Sequence, residues 1–139
     1  MRYLLDVNAL LALGFLQHEF HARTASWIRK LSQKSVPELA TCSITELGFV
    51  RVLVQASSYA FTVADARNLL IQLKSGHAPR FTFITDDHDV SHLPTWVKSA
   101  KQTTDGHLLK LAKSNEAVLA TLDAGIPGAL LIPAEKAKS

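Results

Sequence analysis

The sequence has 139 residues, of which 47% are hydrophobic and 19% are charged, so it is long enough to bury a core and too apolar to be disordered. Its longest apolar run, Ala9–Leu16, is too short to cross a bilayer, and no signal peptide is predicted. The single cysteine, Cys42, excludes an internal disulfide, as is typical of cytoplasmic proteins. The formal net charge of +3 gives a mild preference for polyanionic partners. We expect one globular domain, residues 1–139, in the cytoplasm and without a membrane anchor.

The first part of the chain alternates short apolar strands with amphipathic helices. Tyr3–Leu5 predicts a buried strand and Asn8–Leu16 an apolar helix, with Asp6 at the joint between them. A second helix is predicted over Ala22–Ser32 and a second strand over Leu39–Cys42. Strands that alternate with helices in this way predict a mostly parallel sheet covered by helices.

Two capping-box patterns mark predicted helix N-termini in the middle of the chain. Ser43-Ile44-Thr45-Glu46 predicts a capping box that opens a third helix, running from Leu47 to about Gln55. Thr62-Val63-Ala64-Asp65 predicts a second capping box, followed by a fourth helix to about Lys74. Glu46 therefore has two possible roles: it is a cap residue, or its carboxylate points over the end of the second strand.

The densest acidic run of the chain follows the third predicted strand. Arg80–Thr85 is β-branched and aromatic and predicts this strand, and Asp86-Asp87-His88-Asp89 comes directly after it. Aspartate is common in turns and consecutive residues do not converge on one point, so we interpret the run as a solvated loop. It remains the main rival for a metal site. A short helix is predicted within Leu93–Ser99.

Two further acids lie at junctions between elements. Asp105 falls in the first turn of a helix predicted from Gly106 to about Lys113, where the helix dipole favours a negative charge. Asp123 comes just after a strand predicted over Ala117–Thr121. Ala129–Ile132 predicts a last edge strand. Each of these acids, taken alone, has an ordinary explanation as a cap or turn residue.

Four carboxylates share one predicted position, namely Asp6, Glu46, Asp105 and Asp123. Each lies at a strand end or in the first turn of a helix, and in a parallel sheet these positions fall on one edge. Carboxylates brought together repel one another, and a divalent cation such as Mg²⁺ or Mn²⁺ removes that cost. Two such ions can activate a water and stabilise the leaving oxygen of a phosphodiester displacement. The set therefore predicts a metal-dependent phosphodiesterase site.

Four segments of the chain resemble a known family. Asp6–Leu13, Ile44–Leu53, Thr104–Leu109 and Leu119–Asp123 resemble the PIN-domain ribonucleases, and in particular the VapC-type toxins of type II toxin–antitoxin pairs. The resemblance covers essentially the whole chain. It implies a three-layer α/β/α sandwich with a mostly parallel sheet, and Mg²⁺- or Mn²⁺-dependent endonucleolytic cleavage of RNA. It also implies a homodimer and a cognate antitoxin protein that blocks the site.

The resemblance also implies roles for individual residues. The catalytic and metal-binding acids would be Asp6, Glu46, Asp105 and Asp123, and the side chains that support them would be Asn8 and Thr104. Family members often carry Asp-Ala at the third acid, where this chain has Asp105-Gly106-His107. Basic residues near an acidic centre offset its repulsion of the RNA backbone. Candidates for such phosphate contacts are Arg51, Lys101, Lys110 and Lys113.

Two other functions stay open at this point. A PIN-like fold that binds RNA or a protein without cutting would be expected if acids of the set were missing, and none is missing. A different metal phosphohydrolase would use Asp6 together with the run Asp86–Asp89. The sequence assigns no role to His107.

Overall fold

Five parallel strands form the central sheet of the computed structural model, which describes residues 1–135; residues 136–139 of the predicted domain lie outside this range. The strands are β1 (Arg2–Leu5), β2 (Glu38–Thr41), β3 (Arg80–Phe83), β4 (Ala117–Thr121) and β5 (Leu130–Leu131). Their order across the sheet is β3-β2-β1-β4-β5, and all four pairings are parallel. The carboxyl ends of the strands therefore meet at one edge, as the alternation of strands and helices predicted.

Helices cover both faces of this sheet. The helices of the described chain are α1 (Val7–Gly14), α2 (His21–Ser32), α3 (Ser43–Gln55), α4 (Val63–Lys74) and α5 (Thr103–Ser114). One hydrophobic cluster joins α1, α2, α3 and α4 to one face of the sheet, and a second joins α5 to the other face. The three-layer α/β/α sandwich implied by the resemblance is thus confirmed.

Alternation of side chains in β1 divides the core between the two faces. Leu5 belongs to the cluster shared with α1–α4, and Leu4 to the cluster shared with α5, and both are fully buried. A strand buried on both faces has no polar alternation, which explains the continuous apolar segment at Tyr3–Leu5. Within residues 1–135, no helix has both the length and the apolar character needed to cross a membrane.

The predicted helix within Leu93–Ser99 is wrong. This segment forms turns, flanked by short 3₁₀ helices at Val90–His92 and Ala100–Gln102. Leu93 has extended backbone angles, φ −60° and ψ 131°, as expected for a residue that precedes a proline, here Pro94.

Most other boundaries differ from the prediction by one or two residues, and the starts of α3 and α5 are the exceptions. Helix α3 begins at Ser43, four positions before the predicted start at Leu47.

The early start of α5 has a packing reason. This helix begins at Thr103, three positions before the predicted start at Gly106. Gly106 is a buried residue inside the helix, where a methyl group would lie 2.3 Å from Val97 Cγ2. The close approach of the preceding turn, rather than a helix end, accounts for this glycine.

Helices α1 and α3 approach each other closely at Gly48. A methyl group there would lie 2.5 Å from Val7 Cγ2 and 3.1 Å from Val7 Cγ1. We predict that Gly48→Ala destabilises the protein by about 1–3 kcal/mol, because the clash outweighs the gain in helix propensity. Chemical denaturation of Gly48→Ala, of Val7→Ala and of the double variant measures this, and the double variant should recover part of the loss.

Gly76→Ala is the matched control for this prediction. A methyl group added at Gly76 would have the backbone oxygen of Leu73 as its nearest neighbour, at 3.9 Å, so no clash is expected. A Gly48→Ala protein as stable as wild type would show that α1 and α3 separate freely.

Candidate active site at the carboxyl edge of the sheet

Asp6 connects the end of β1 to the start of α1. It is the N-cap of α1, with its Oδ1 accepting a hydrogen bond of 2.9 Å from the backbone N–H of Ala9. Its Oδ2 accepts a hydrogen bond of 2.5 Å from the hydroxyl of Thr121, at the end of β4. Asp6 is only 7% exposed. The cap explanation is therefore correct for one oxygen, while the second faces the neighbouring strand.

Asp123 is linked to Asp6 by Thr121, which makes a hydrogen bond with each of them. Its backbone N–H donates to the hydroxyl oxygen of Thr121 at 3.0 Å, and its own Oδ1 accepts from the backbone N–H of Gly125 at 2.8 Å. Thr121 is 1% exposed. The hydroxyl of Thr121 thus holds both Asp6 and the backbone of Asp123 in place. The sequence analysis missed this role, although the position of Thr121 two residues before Asp123 could have indicated it.

Asp105 completes a group of three aspartates. Burial, followed by the negative charges of Asp6 and Asp123, raises the pKa of Asp105. Burial raises the pKa of Asp6 against the lowering effect of its hydrogen bonds to Thr121 and Ala9, and Asp123 raises it further. The negative charges of Asp6 and Asp123 thus act on Asp105, and the metal site predicted for the four acids stays a prediction.

Glu46 occupies a different position from the one expected of a cap. The predicted Ser43–Glu46 capping box is wrong, because α3 begins at Ser43 and its N-cap is Cys42. The backbone N–H of Cys42 donates to the hydroxyl of Thr45 at 3.0 Å, so Thr45 plays at Cys42 the part that Glu46 was predicted to play at Ser43. By contrast, the predicted Thr62–Asp65 capping box at α4 is confirmed.

The carboxylate of Glu46 is held by two other donors. Its Oε2 accepts a hydrogen bond of 2.6 Å from the hydroxyl of Thr41, the last residue of β2, and one of 2.5 Å from Lys74 Nζ. Its side chain is 24% exposed. Glu46 therefore lies at the carboxyl edge of the sheet, where Thr41 and Lys74 hold its carboxylate.

The two predicted supporting residues face different clefts. Asn8 lines an open cleft of about 300 Å³ together with Asp123, whereas Thr104 lines one of about 420 Å³ together with His107. Neither side chain hydrogen-bonds to a carboxylate within residues 1–135. Their predicted role in orienting the acids stays a prediction.

The basic residues proposed for phosphate contacts lie on helix surfaces or in a 3₁₀ turn. All four are exposed, and among the described residues none is ion-paired to an acid: Arg51, Lys101, Lys110 and Lys113. The cation that does contact a predicted site residue is Lys74, which the sequence analysis did not single out.

The acidic run after β3 is occupied by local contacts. Asp86 accepts hydrogen bonds from the backbone N–H of His88 at 3.0 Å and from His107 Nε2, and Asp89 caps the 3₁₀ helix through the N–H of Ser91. Asp87 is exposed. The interpretation as a solvated loop agrees with the exposed Asp87 and Asp89, but the side chains of Asp86 and His88 are only 17% and 7% exposed. His107 anchors this loop to α5.

The donor chemistry of the three aspartates fits a hard divalent cation. The carboxylate of Asp105 has no hydrogen-bond partner within residues 1–135. The negative charges of Asp6 and Asp123 disfavour its ionised form. No three His, Cys, Asp or Glu side chains of that range already converge on one point as metal ligands do. The hydrogen bonds of Asp6 to Thr121 and of Asp123 to Gly125 account for their present orientations.

A parallel α/β/α sandwich with aspartates gathered at its carboxyl edge defines the PIN-like class of protein. No family model matches the chain, but curated relatives do. Ribonuclease VapC38 of Mycobacterium tuberculosis is 39% identical over 127 residues, covering 88% of this chain and 86% of the relative. Ribonucleases VapC44 and VapC29 of the same species are 37% and 33% identical, each covering 91% of this chain and 89% of the relative. The chain belongs to the VapC ribonuclease family.

The raised pKa of Asp105 predicts a pH-dependent stability in the absence of metal. An aspartate whose folded-state pKa exceeds the unfolded value of about 3.9 contributes stability below that value and loses it as the pH rises through the folded pKa. In EDTA we therefore expect Asp105→Asn to be more stable than wild type at pH 7 and no different near pH 4 or below. Thermal melts between pH 4 and 7 measure this difference.

Asp65→Asn serves as a control of opposite sign. The hydrogen bonds of Thr62 lower the pKa of Asp65, so its ionised form stabilises the fold above the unfolded pKa. Asp65→Asn should accordingly be less stable than wild type at pH 7. If Asp105→Asn instead loses stability at neutral pH as Asp65→Asn does, Asp105 is only a helix-dipole residue.

Proposed function

We propose that the protein is a metal-dependent endoribonuclease that acts as the toxin of a toxin–antitoxin pair. The observation that carries the proposal is the group of Asp6, Asp105 and Asp123 at the carboxyl edge, where burial, followed by the charges of Asp6 and Asp123, raises the pKa of Asp105. Membership of a family whose relatives are named ribonucleases supports the reaction class. In this proposal residues 1–139 act as one nuclease domain.

The acids would hold Mg²⁺ or Mn²⁺ through oxygen donors. Asp6 is fixed by two hydrogen bonds, and Asp105 is available for a ligand. Asp123 follows β4, and Glu46 projects from the first turn of α3. When bound, the metal supplies an activated water and charge stabilisation at the leaving oxygen of the phosphodiester. The protein contributes no covalent nucleophile in this scheme, since its part is to bind the metal and to orient the RNA backbone.

The substrate and partners follow from the same proposal. RNA would approach the carboxyl edge, with Asn8 in the cleft beside Asp123 and with exposed basic residues contacting phosphates. These basic residues are Arg51, Lys101, Lys110 and Lys113. We further propose a homodimer, a cognate antitoxin protein that covers the acidic edge, and action in the cytoplasm, where the RNA substrates are found.

Cleavage of total cellular RNA tests the proposal directly. Wild type should produce discrete fragments with Mg²⁺ or Mn²⁺ and none in EDTA. Asp6→Asn and Asp105→Asn should each reduce the rate by roughly a hundredfold or more, because loss of a ligand costs at least as much as loss of a residue that orients one. Both variants should remain folded in EDTA, as thermal melts would show.

Asp65→Asn is the matched control for cleavage, since Asp65 only caps α4 and lies outside the acidic group. RNA that is bound but not cut by wild type, at any metal concentration, would replace this proposal with a PIN-like binding module.

Substitution of the acidic run separates the proposal from a phosphohydrolase that uses Asp86–Asp89. We predict that Asp87→Asn leaves the cleavage rate within about twofold of wild type, because Asp87 is an exposed loop residue. Asp86→Asn should act only through stability, since its carboxylate is engaged by His88 and His107. Loss of cleavage in Asp87→Asn without loss of stability would favour the phosphohydrolase.

A further inference from the structure

Glu46 differs from the other three predicted acids because a cation already neutralises it. Lys74 Nζ lies 2.5 Å from Glu46 Oε2, and the hydroxyl of Thr41 donates to the same oxygen at 2.6 Å. Within residues 1–135, no lysine or arginine pairs with Asp6, Asp105 or Asp123. The carboxyl edge thus has two electrostatic regions, one with unbalanced negative charge and one balanced by the protein itself.

Three features hold Lys74 in this position. It is the last residue of α4, where the negative end of the helix dipole favours a cation. Its Nζ lies 5.6 Å from the ring centroid of Phe83, the last residue of β3, within the range of a cation–π contact. The third feature is the ion pair with Glu46 itself. Lys74 therefore reaches the carboxyl edge from α4 and meets the acid that projects from α3.

The ion pair can open without disturbing the core. The side chain of Lys74 is 28% exposed and lines an open groove of about 490 Å³ between α3 and α4, together with Leu47 and Ile71. Leu47 and Ile71 are themselves 67% and 57% exposed. A lysine of this kind can swing its ammonium into the groove while its stem stays in contact with apolar side chains.

An ammonium and a hard divalent cation need the same carboxylate oxygens. While Lys74 and Thr41 both donate to Oε2, that oxygen has little capacity left for a metal, and the positive charge of Lys74 repels a second cation. A metal at Glu46 must therefore either displace Lys74 from Oε2 or bind Oε1 beside it, and in both cases the charge of Lys74 opposes the metal. The energy of a partly exposed ion pair is small enough for a bound divalent ion to overcome it.

We propose that Lys74 is an internal counter-ion that occupies Glu46 in the metal-free protein and competes with the divalent cation for its carboxylate. This inference rests on the proposed function, because it treats Glu46 as a metal-binding acid. As a consequence, the protein needs a higher concentration of divalent cation to fill the site. Lys74 stabilises the fold in the absence of metal and weakens the affinity of Glu46 for the metal. Lys74 is a positioning residue here, since it acts through Glu46.

A double-mutant cycle on Mn²⁺ affinity tests the inference. Isothermal titration calorimetry would measure the Kd of wild type, Lys74→Met, Glu46→Gln and the double variant. We expect Lys74→Met to tighten Mn²⁺ binding by about two- to fivefold, as the loss of a competing, partly exposed ion pair predicts. Glu46→Gln should weaken it by about tenfold or more. In the Glu46→Gln background, Lys74→Met should have no further effect, because the pair is already broken.

Thermal stability gives a second readout that does not depend on activity. In EDTA, Lys74→Met should melt below wild type, since Glu46 loses its counter-ion, while the rise in Tm on adding Mn²⁺ should be larger than in wild type. Lys74→Arg keeps the charge and should behave as wild type. Arg67→Met is the matched control: Arg67 lines the same groove from the same helix, and within residues 1–135 it is not ion-paired to Glu46.

Several outcomes would overturn the inference. If Lys74→Met binds Mn²⁺ no more tightly than wild type, Lys74 is a structural partner of Glu46 or assists metal binding. If Arg67→Met tightens Mn²⁺ binding as much as Lys74→Met does, the effect is one of net charge alone. Should Lys74→Met not fold, Lys74→Gln takes its place in the cycle. If Glu46→Gln binds Mn²⁺ as wild type does while Asp105→Asn does not, the inference fails and the proposed function stands. If wild type binds no Mn²⁺, both fail.

Discussion

The burial of aspartates close to one another is the constraint on which the carboxyl edge of this protein depends. Burial and like charge raise the pKa values of Asp6 and Asp105, so the protein bears an electrostatic cost at this edge. The backbone N–H of Ala9 and the hydroxyl of Thr121 hold the carboxylate of Asp6 in place in spite of that cost. Buried carboxylates with raised pKa values, held on a rigid scaffold, are typical of functional sites, because stability alone would favour their loss.

Two threonines at strand ends organise the acids in parallel ways. Thr121 ends β4 and donates to Asp6, and Thr41 ends β2 and donates to Glu46. Both are essentially fully buried, at 1% and 0% exposure. A buried hydroxyl needs a hydrogen-bond partner. For Thr121 that partner is Asp6, which follows the neighbouring strand β1, and for Thr41 it is Glu46, which follows the same strand, β2. The sheet therefore fixes the acids through hydroxyl groups as well as through the backbone.

The elements and the acidic positions could be predicted because they depend on local patterns. Buried parallel strands such as β1 appear as short apolar runs, and the Thr62–Asp65 capping box is defined by neighbours in sequence. The errors arose where two local patterns compete. At α3, Thr45 takes at Cys42 the capping role that the prediction gave to Glu46 at Ser43. At Leu93–Ser99, Leu93 is extended before Pro94 where a short helix was predicted.

By itself, the sequence determined that four acids stand at element junctions in a parallel α/β chain, since that follows from periodicity and residue order. Only the tertiary structure decided that three of them share one electrostatic environment while Glu46 is paired with Lys74. The deciding contacts join residues distant along the chain: Thr121 and Asp6 are 115 positions apart, and Lys74 and Glu46 are 28 apart. Such contacts depend on how strands and helices pack against one another, and no local pattern of residues specifies which hydroxyl or ammonium meets which carboxylate.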